Sequence, residues 1–196
     1  LFKDKNLGVT EFLARKNKVK NSEVMCIFNK RLSVVPLTTH IRVKEISKIL
    51  KKDLLIKKIK TLNKYYFKYF NKKPRIGVLG LNPHNFELRK NSEELKIIKP
   101  AINILKKKYR INGPFSSDTI FLKDNLKKFD IIVGMYHDQV LTPIKTIYGF
   151  DAINITLGLP FLRLTPDHGP NFSMLGKNKS SPESFIKTLE FAKKIK

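Results

Sequence analysis

Residues 129–139 read FDIIVGMYHDQ. A short apolar run, residues 131–133, leads directly to the histidine–aspartate pair His137 and Asp138. Such runs are typical of strands that are buried on both faces, and the loop after a buried strand often carries the chemistry of a site. The sequence therefore predicts a buried strand that delivers an imidazole and a carboxylate into a loop at the end of a sheet.

The use of lysine sets this region apart from the rest of the chain. Lys and Arg account for 40 of the 196 residues, against 16 Asp and Glu, which gives a net charge of +24. Residues 129–170 nevertheless contain a single lysine, Lys145. A local departure from so strong a bias indicates that these positions are constrained by packing or by function.

The net charge by itself suggests nucleic acid or an anionic membrane surface as a partner. However, only seven of the 40 basic residues are arginines, and the basic residues are spread along the whole chain. Nucleic-acid-binding proteins usually concentrate charge on one face and use arginine for paired contacts. We therefore interpret the charge as a compositional bias of solvated positions. This disfavours nucleic acid and remains compatible with small phosphorylated or carboxylated substrates.

Apolar runs and cysteine content restrict the location of the protein. No apolar run approaches the roughly 20 residues that a membrane-spanning helix requires, and no stretch resembles a secretory signal. The single cysteine, Cys26, excludes an internal disulfide and a cysteine-based zinc site. We expect a cytoplasmic protein without a membrane partner.

Alternating strand and helix patterns predict an α/β fold, with a layered sheet and helices on both of its faces. Short apolar runs predict strands at 24–28, 32–37, 75–81 and 130–135, the first two forming a hairpin. Apolar residues at helical spacing predict helices at 44–70, 92–105 and 181–196. We expect a break near residue 52 and a restart at Pro100.

Three further local features are predicted from residue chemistry. Thr10 is expected to cap a short helix, and residues 112–114, Asn-Gly-Pro, are expected to form a turn. The last helix is expected to turn Phe185, Leu189 and Ala192 toward the core.

Three of the four histidines, namely His40, His84 and His137, directly follow predicted strands. In α/β sheets, ligands gather at the carboxyl ends of strands. Three imidazoles there are able to bind a divalent metal and leave one coordination position for a substrate oxygen. No short-range ligand spacing such as H-x-x-x-H supports this assignment. The alternative stays open that each is a separate, hydrogen-bonded loop histidine.

Charged residues near the histidines are further candidates. Asp118 and Asp138 suit acid–base catalysis or hydrogen bonds that support a metal-binding histidine, with turn formation and helix capping as the alternative. Arg163 and Lys145 suit contacts with an anionic substrate group, although Lys145 is also explained as a surface lysine. No G-x-G-x-x-G sequence is present, so a standard dinucleotide-binding loop is not predicted.

Six short motifs occur in a fixed order and together resemble a known enzyme family. They are LNPH at 81–84, NGP at 112–114, SDT at 117–119, MYHDQ at 135–139, NITLGLP at 154–160 followed by Arg163, and DHG at 167–169. In combination, from about residue 8 to the C-terminus, they resemble the 4-hydroxythreonine-4-phosphate dehydrogenase family of pyridoxal phosphate (vitamin B6) biosynthesis.

The resemblance implies an oxidoreductase with a fold related to isocitrate and isopropylmalate dehydrogenases. It implies oxidation of 4-phosphohydroxy-L-threonine by NAD or NADP, with a divalent Zn, Mg or Co ion, to a 3-oxo acid that decarboxylates to 3-amino-2-oxopropyl phosphate. It also implies a homodimer whose subunits share the active site. By matching position, the resemblance assigns the metal to His40, His84 and His137 and the substrate to Thr10, Lys145, Asn154 and Arg163. Asp118 and Asp138 remain the catalytic candidates that residue chemistry suggests.

The chain also departs from the pattern of this family. The family has a longer N-terminal region without a counterpart here, so residues 1–196 are expected to be the C-terminal, metal- and substrate-binding portion. Val9 stands where the family has a substrate-binding histidine, and residues 85–90 replace a glycine-rich acidic loop. Pro170 and Asn171 replace a small, flexible continuation. A catalytically inactive relic that keeps the fold and the dimer surface is therefore the alternative.

Overall fold

One seven-stranded mixed sheet runs through the part of the chain that the computed structural model describes, residues 8–19, 21–169 and 172–195. Its strands are β1 (Val24–Phe28), β2 (Ser33–Pro36), β3 (Ile76–Leu79), β4 (Ile111–Phe115), β5 (Ile131–Gly134), β6 (Ile153–Leu157) and β7 (Arg163–Pro166). Their spatial order is β4-β3-β5-β2-β1-β6-β7. The first four strands in this order are parallel, and the remaining pairs are antiparallel.

Eight α-helical segments accompany the sheet in the described residues. They are α1 (Val9–Lys16), α2 (Ile46–Ile49), α3 (Lys52–Phe70), α4 (Lys99–Leu105), α5 (Ser117–Ile120), α6 (Lys123–Leu126), α7 (His137–Tyr148) and α8 (Glu183–Lys194). Short 3₁₀ turns lie at Val43–Glu45, Pro83–Leu88 and Phe172–Met174, and a π-helical turn at Glu94–Ile98 precedes α4. None of the helices in these ranges is long and apolar enough to cross a membrane.

The core is divided by the sheet into two apolar clusters. One cluster packs α3 and α4 against one face of the sheet, and the other packs α7 against the opposite face. Neighbouring residues of β5 contribute to different clusters, Ile131 and Val133 to the first and Ile132 to the second. This alternation explains the uninterrupted apolar run, because both faces of the strand are buried. The predicted α/β layered sheet is confirmed.

Most predicted elements are also confirmed. The first two strands form an antiparallel hairpin in which Ile27 lies opposite Val34. The predicted break in the first long helix falls between α2 and α3, two residues from the expected position. The later helix restarts as α4 at Lys99, which places Pro100 in its first turn. A proline fits there because its missing N–H has no helical partner in any case.

Two turn and cap predictions are wrong. Residues 112–114 lie inside β4 rather than in a turn. β4 is the edge strand of the sheet, and an edge tolerates a proline because its outward side needs no ladder hydrogen bond. Thr10 does not cap α1, because the helix already begins at Val9 and Gly8 occupies the cap position.

The predicted orientation of the last helix is also wrong. Phe185 and Leu189 are 53% and 48% exposed, and Ala192 is exposed as well, whereas Ser184 and Thr188 are buried. The hydroxyl of Ser184 donates to the carbonyl of Ala152 at 2.6 Å and accepts from the N–H of Asp167 at 2.9 Å. These two hydrogen bonds to the ends of β6 and β7 hold the polar side of α8 against the sheet.

Asp130 joins the start of β5 to the start of β3. It accepts hydrogen bonds from the backbone N–H of Arg75 at 2.8 Å, from the Arg75 guanidinium at 3.2 Å and from Lys72 at 2.8 Å. Burial of the carboxylate raises its pKa, but the bonds from Arg75 and Lys72 outweigh this and lower the pKa of Asp130 to about 2. The carboxylate is therefore a stabilising link between two neighbouring strands.

We predict that Asp130→Asn lowers the free energy of unfolding by ~2 kcal/mol at neutral pH. Because the pKa of Asp130 is lower in the folded than in the unfolded chain, its contribution is complete above about pH 4 and is lost as the pH falls through about 2. Urea unfolding of both variants across this range measures the effect. Asp124→Asn, at an exposed site, serves as the control. A penalty of equal size at about pH 7 and pH 3 would contradict the prediction.

Candidate functional site

Four chemically active side chains follow the four parallel strands. His40 follows β2, His84 follows β3, Asp118 follows β4 and His137 follows β5. The carboxyl ends of parallel strands meet at one edge of a sheet, so all four lie along the same edge. Along the strand order β4-β3-β5-β2 they stand in the row Asp118, His84, His137 and His40. Side-chain distances join them into two pairs, of which the first is His40 with His137 and the second is His84 with Asp118.

The first pair is set by the parallel ladder between β2 and β5. The ladder continues past the strands, because the N–H of Leu37 donates to the carbonyl of Gly134 at 2.8 Å. Both the N–H and the hydroxyl of Thr38 donate to the carbonyl of Met135, at 3.2 and 2.7 Å. The two segments that carry the histidines are thereby held in fixed register, and the rings of His40 and His137 have their centroids 6.2 Å apart.

The sequence predicted that His137 lies in a loop. This prediction is wrong, because His137 is the first residue of α7. Only two residues separate β5 from this helix. Gln139 fixes the connection, since its amide accepts from the N–H of Met135 at 2.6 Å and donates to the carbonyl of Gly80 at 2.7 Å. Gln139 was not among the residues singled out from the sequence. A sequence signal for it exists, because Gln139 is a polar residue among the buried apolar residues of α7.

His40 is held by a carboxylate from α1. Its Nδ1 lies 3.1 Å from Oε2 of Glu11, and the other oxygen of Glu11 accepts a hydrogen bond from the hydroxyl of Thr39. Burial raises the pKa of Glu11, but the bonds from His40 and Thr39 outweigh it and bring this pKa to about 2. The same bond raises the pKa of His40 above its usual value.

The second pair is more open. His84 is 75% exposed, and its Nδ1 lies 3.9 Å from Oδ2 of Asp118. Both residues line a cavity of about 270 Å³, together with Tyr136 and Gln139. The cavity therefore extends from the second pair to the start of α7, where His137 lies.

The turn that carries His84 has an unusual backbone. From His84 to Leu88, five successive residues other than glycine have φ between 48° and 55°, in the left-handed region. Each such residue costs roughly 1–2 kcal/mol relative to a right-handed conformation. Glu94 anchors the preceding residues, because its buried carboxylate accepts from the N–H groups of Leu81 and Asn82 at 2.7 and 2.8 Å.

The three histidines have the chemistry of metal ligands. Each has a carboxylate near Nδ1, the usual arrangement for an imidazole that binds metal through its other nitrogen. The distances are 3.1 Å for His40 with Glu11, 2.6 Å for His137 with Asp138 and 3.9 Å for His84 with Asp118. Within the described ranges, however, no three His, Cys, Asp or Glu side chains are close enough together to hold a metal ion. The donor types fit a divalent metal, but one chain does not gather a complete set.

Arg163 lies at the same edge of the sheet as the histidines. The sheet registers place Arg163 beside Thr156 and Thr156 beside Met25. Because β1 runs antiparallel to β2, Met25 lies at the level of Pro36, where β2 ends. The guanidinium donates to the hydroxyl of Thr156 at 2.9 Å, and in the described part of the chain no carboxylate lies within ion-pair distance of it. Burial lowers the pKa of Arg163, an effect that the charge of Glu11 opposes.

Asn154 lies two residues before Thr156 and thus on the same face of β6. Its Oδ1 is buried and has no hydrogen-bond partner among the described residues. Buried polar atoms without a partner are rare in proteins. The atom therefore suits a contact with a bound molecule, as the sequence analysis expected for this residue.

Lys145 lies two helical turns beyond His137, roughly 12 Å along α7. Its ammonium donates to the backbone carbonyl of Asp167 at 3.0 Å and to the buried carboxylate of the same residue at 3.1 Å. The ammonium of Lys145 is thus bound to Asp167. Thr10, the fourth candidate for substrate binding, is buried beside Glu11 in α1. The expected change at Pro170 and Asn171 lies outside the described residues.

Together these features define an α/β protein in which one edge of a mixed sheet collects imidazoles, carboxylates and a partly buried guanidinium. Residues 3–192 match the family model described as "Pyridoxal phosphate biosynthetic protein PdxA". The chain belongs to this family, as its motifs suggested.

Individual relatives agree with the family match. A 4-hydroxythreonine-4-phosphate dehydrogenase of Sulfurihydrogenibium is 40% identical over 188 residues, which are 94% of this chain and 58% of the relative. One of Wigglesworthia glossinidia brevipalpis is 42% identical over 193 residues, 96% of this chain and 57% of the relative. The chain thus spans little more than half the length of these curated relatives.

Solved structures show the same relationship. The 4-hydroxythreonine-4-phosphate dehydrogenase of Klebsiella pneumoniae superimposes with a TM-score of 0.80 at 31% identity, covering 97% of this chain and 59% of that one. A terephthalate 1,2-cis-dihydrodiol dehydrogenase of Burkholderia xenovorans superimposes with a TM-score of 0.74 at 21% identity, covering 96% of this chain and 61% of that one. The second match, at this identity, shows a shared fold only.

We predict that Glu87→Gly raises the free energy of unfolding by about 1 kcal/mol relative to Glu87→Ala. Both variants lose the ion pair with Arg89 at 3.0 Å, but only glycine adopts the left-handed conformation of this turn without cost. Chemical unfolding measures the difference. The same pair of substitutions at Lys64, an exposed position of α3, should give the opposite sign. Equal stability of the two Glu87 variants would show that the left-handed backbone of this turn is not strained.

Proposed function

We propose that this chain carries the metal- and substrate-binding part of a 4-hydroxythreonine-4-phosphate dehydrogenase of pyridoxal phosphate biosynthesis. The reaction is the NAD- or NADP-dependent oxidation of 4-phosphohydroxy-L-threonine to a 3-oxo acid, which loses carbon dioxide to give 3-amino-2-oxopropyl phosphate. The observation that carries the proposal is the meeting, at one sheet edge, of two carboxylate-bound histidines and an arginine that has no carboxylate partner among the described residues. The names of the relatives support this assignment.

His40, His84 and His137 would hold the divalent metal, and imidazole donors favour zinc or cobalt over magnesium. When bound, the metal supplies Lewis acidity toward the substrate hydroxyl oxygen. Because one chain does not gather the three rings, we propose that two copies share the site in a homodimer. His40 and His137 lie together in one copy, with ring centroids 6.2 Å apart, so we assign His84 at each site to the other copy.

The remaining candidates bind the substrate. The guanidinium of Arg163 suits the phosphate group, which it can contact through two parallel N–H donors. Oδ1 of Asn154 accepts a hydrogen bond from the substrate, which gives this buried oxygen the partner that it lacks. The Thr10 hydroxyl offers a further contact. Lys145, held by Asp167, adds positive charge on the same face of the sheet.

Two carboxylates are placed for proton transfer. Asp118 and Asp138 are both exposed and lie beside His84 and His137. Either is able to accept the proton that the substrate hydroxyl releases on oxidation. A bound NAD or NADP would accept the hydride from the substrate carbon; this redox chemistry belongs to the cofactor, and the protein would orient it. We propose a cytoplasmic location for this chemistry.

A catalytically inactive relic with the same fold is the second candidate. The observation that favours it is the turn at His84–Leu88, which is strained and leaves His84 largely exposed. Stoichiometric binding of a divalent metal and turnover of the substrate support the enzyme. A folded chain that binds neither supports the relic.

We predict that Arg163→Ala weakens binding of 4-phosphohydroxy-L-threonine by about 1.5–3 kcal/mol, because a charge-assisted contact with the phosphate is lost. Titration calorimetry measures the affinity, and reduction of NAD or NADP reports turnover. Arg31→Ala removes the same charge from an exposed turn at the opposite edge of the sheet and should leave the affinity unchanged. Equal affinities of the Arg163 and Arg31 variants would contradict the role of Arg163.

A further inference from the structure

A carboxylate from a different part of the chain lies behind one of the candidate metal ligands. Glu11, in the first turn of α1, lies 29 residues before His40, yet its Oε2 is 3.1 Å from Nδ1 of that ring. The second oxygen of Glu11 accepts the hydroxyl of Thr39. Both oxygens are thus used to bind consecutive residues of the segment that follows β2. A carboxylate held at two points has little freedom to rotate, and it fixes the imidazole that it contacts.

The backbone at Gly8 packs closely against one side of this contact, while the His40 side chain is 46% exposed on the other. A Cβ atom added to Gly8 would lie 2.3 Å from Nδ1 of His40 and 2.7 Å from Oε2 of Glu11. Any larger residue at this position would therefore displace the ring or the carboxylate. The backbone of α1 and the imidazole approach each other closely only because residue 8 is a glycine.

Glu11 is less exposed to solvent than Asp138, the carboxylate beside His137. The side chain of Glu11 is 20% exposed, whereas that of Asp138 is 77% exposed. A hydrogen bond from an imidazole to a carboxylate is stronger and better directed away from water.

We propose that Glu11 is the positioning residue of the metal site: it accepts the Nδ1–H of His40 and thereby presents Nε2 of the ring to the metal. This inference rests on the proposed role of His40 as a metal ligand. Carboxylates in this position fix the tautomer and orientation of a metal-binding histidine and make it a better donor. Glu11 itself does not contact the metal or the substrate.

The test uses the complete 196-residue chain and Zn²⁺ as the probe. Glu11→Gln keeps the size of the side chain and its acceptor oxygen but removes the charge. We expect the variant to bind Zn²⁺ about 10–100-fold more weakly in competition with a chelator, with an unchanged circular dichroism spectrum. Glu45→Gln is the matched control, because Glu45 lies five residues from His40 and pairs with Arg42 instead. It should leave the Zn²⁺ affinity unchanged.

A second measurement needs no metal. Nitrogen-15 NMR of the metal-free chain at alkaline pH identifies the tautomer of the neutral His40 ring. The proposal requires a proton on Nδ1, and a proton on Nε2 would overturn it.

The variant His40→Ala distinguishes the positioning role of Glu11 from the role of His40 as a metal ligand. If His40→Ala weakens Zn²⁺ binding but Glu11→Gln does not, the positioning role is wrong and the metal site stands. If neither variant changes the Zn²⁺ affinity, the assignment of His40 as a ligand fails, and the role of Glu11 fails with it.

Discussion

The parallel pairing of β2 with β5 is the constraint on which the site depends. It begins at Ser33 and Ile131 and extends beyond the strands to the bonds between Thr38 and Met135. These bonds carry two segments, each ending in a histidine, to the same point of the sheet edge. A shift of the pairing by one residue would turn every side chain of one strand to the opposite face. The hydrogen bonds of Leu37 and Thr38 to Gly134 and Met135 fix this register and so maintain the distance between His40 and His137.

Sequence patterns identify the elements of this fold better than they identify how the elements meet. The buried strands follow from short apolar runs, and the candidate ligands follow from their places directly after those strands. The contact of Glu11 with His40 spans 29 residues and could not be predicted, because it depends on where α1 packs. The pairing of His84 with Asp118 depends on the order of the strands, which no local pattern encodes. The orientation of α8 was predicted wrongly because two hydrogen bonds of Ser184 outweigh its apolar face.

The acidic residues say more about how this chain is held together than its large positive charge does. Only 16 Asp and Glu are present, and several of them occupy well-defined structural positions. Asp130 joins two strand starts, Glu94 holds the turn before His84, and Asp167 holds Lys145. Glu11 does the same for His40. These four carboxylates each bind a specific partner, whereas most lysines lie on solvated surfaces.

We propose that two copies of the chain share each metal site, and mixed dimers provide the sharpest test of this arrangement. Neither His84→Ala nor His137→Ala should bind stoichiometric Zn²⁺ alone. When the two variants are unfolded, mixed and refolded together, half of the dimers contain one copy of each. If His84 and His137 come from different copies, every mixed dimer has one intact site, and the mixture should recover about a quarter of the wild-type zinc. A mixture that binds no more zinc than the separate variants would contradict the shared site.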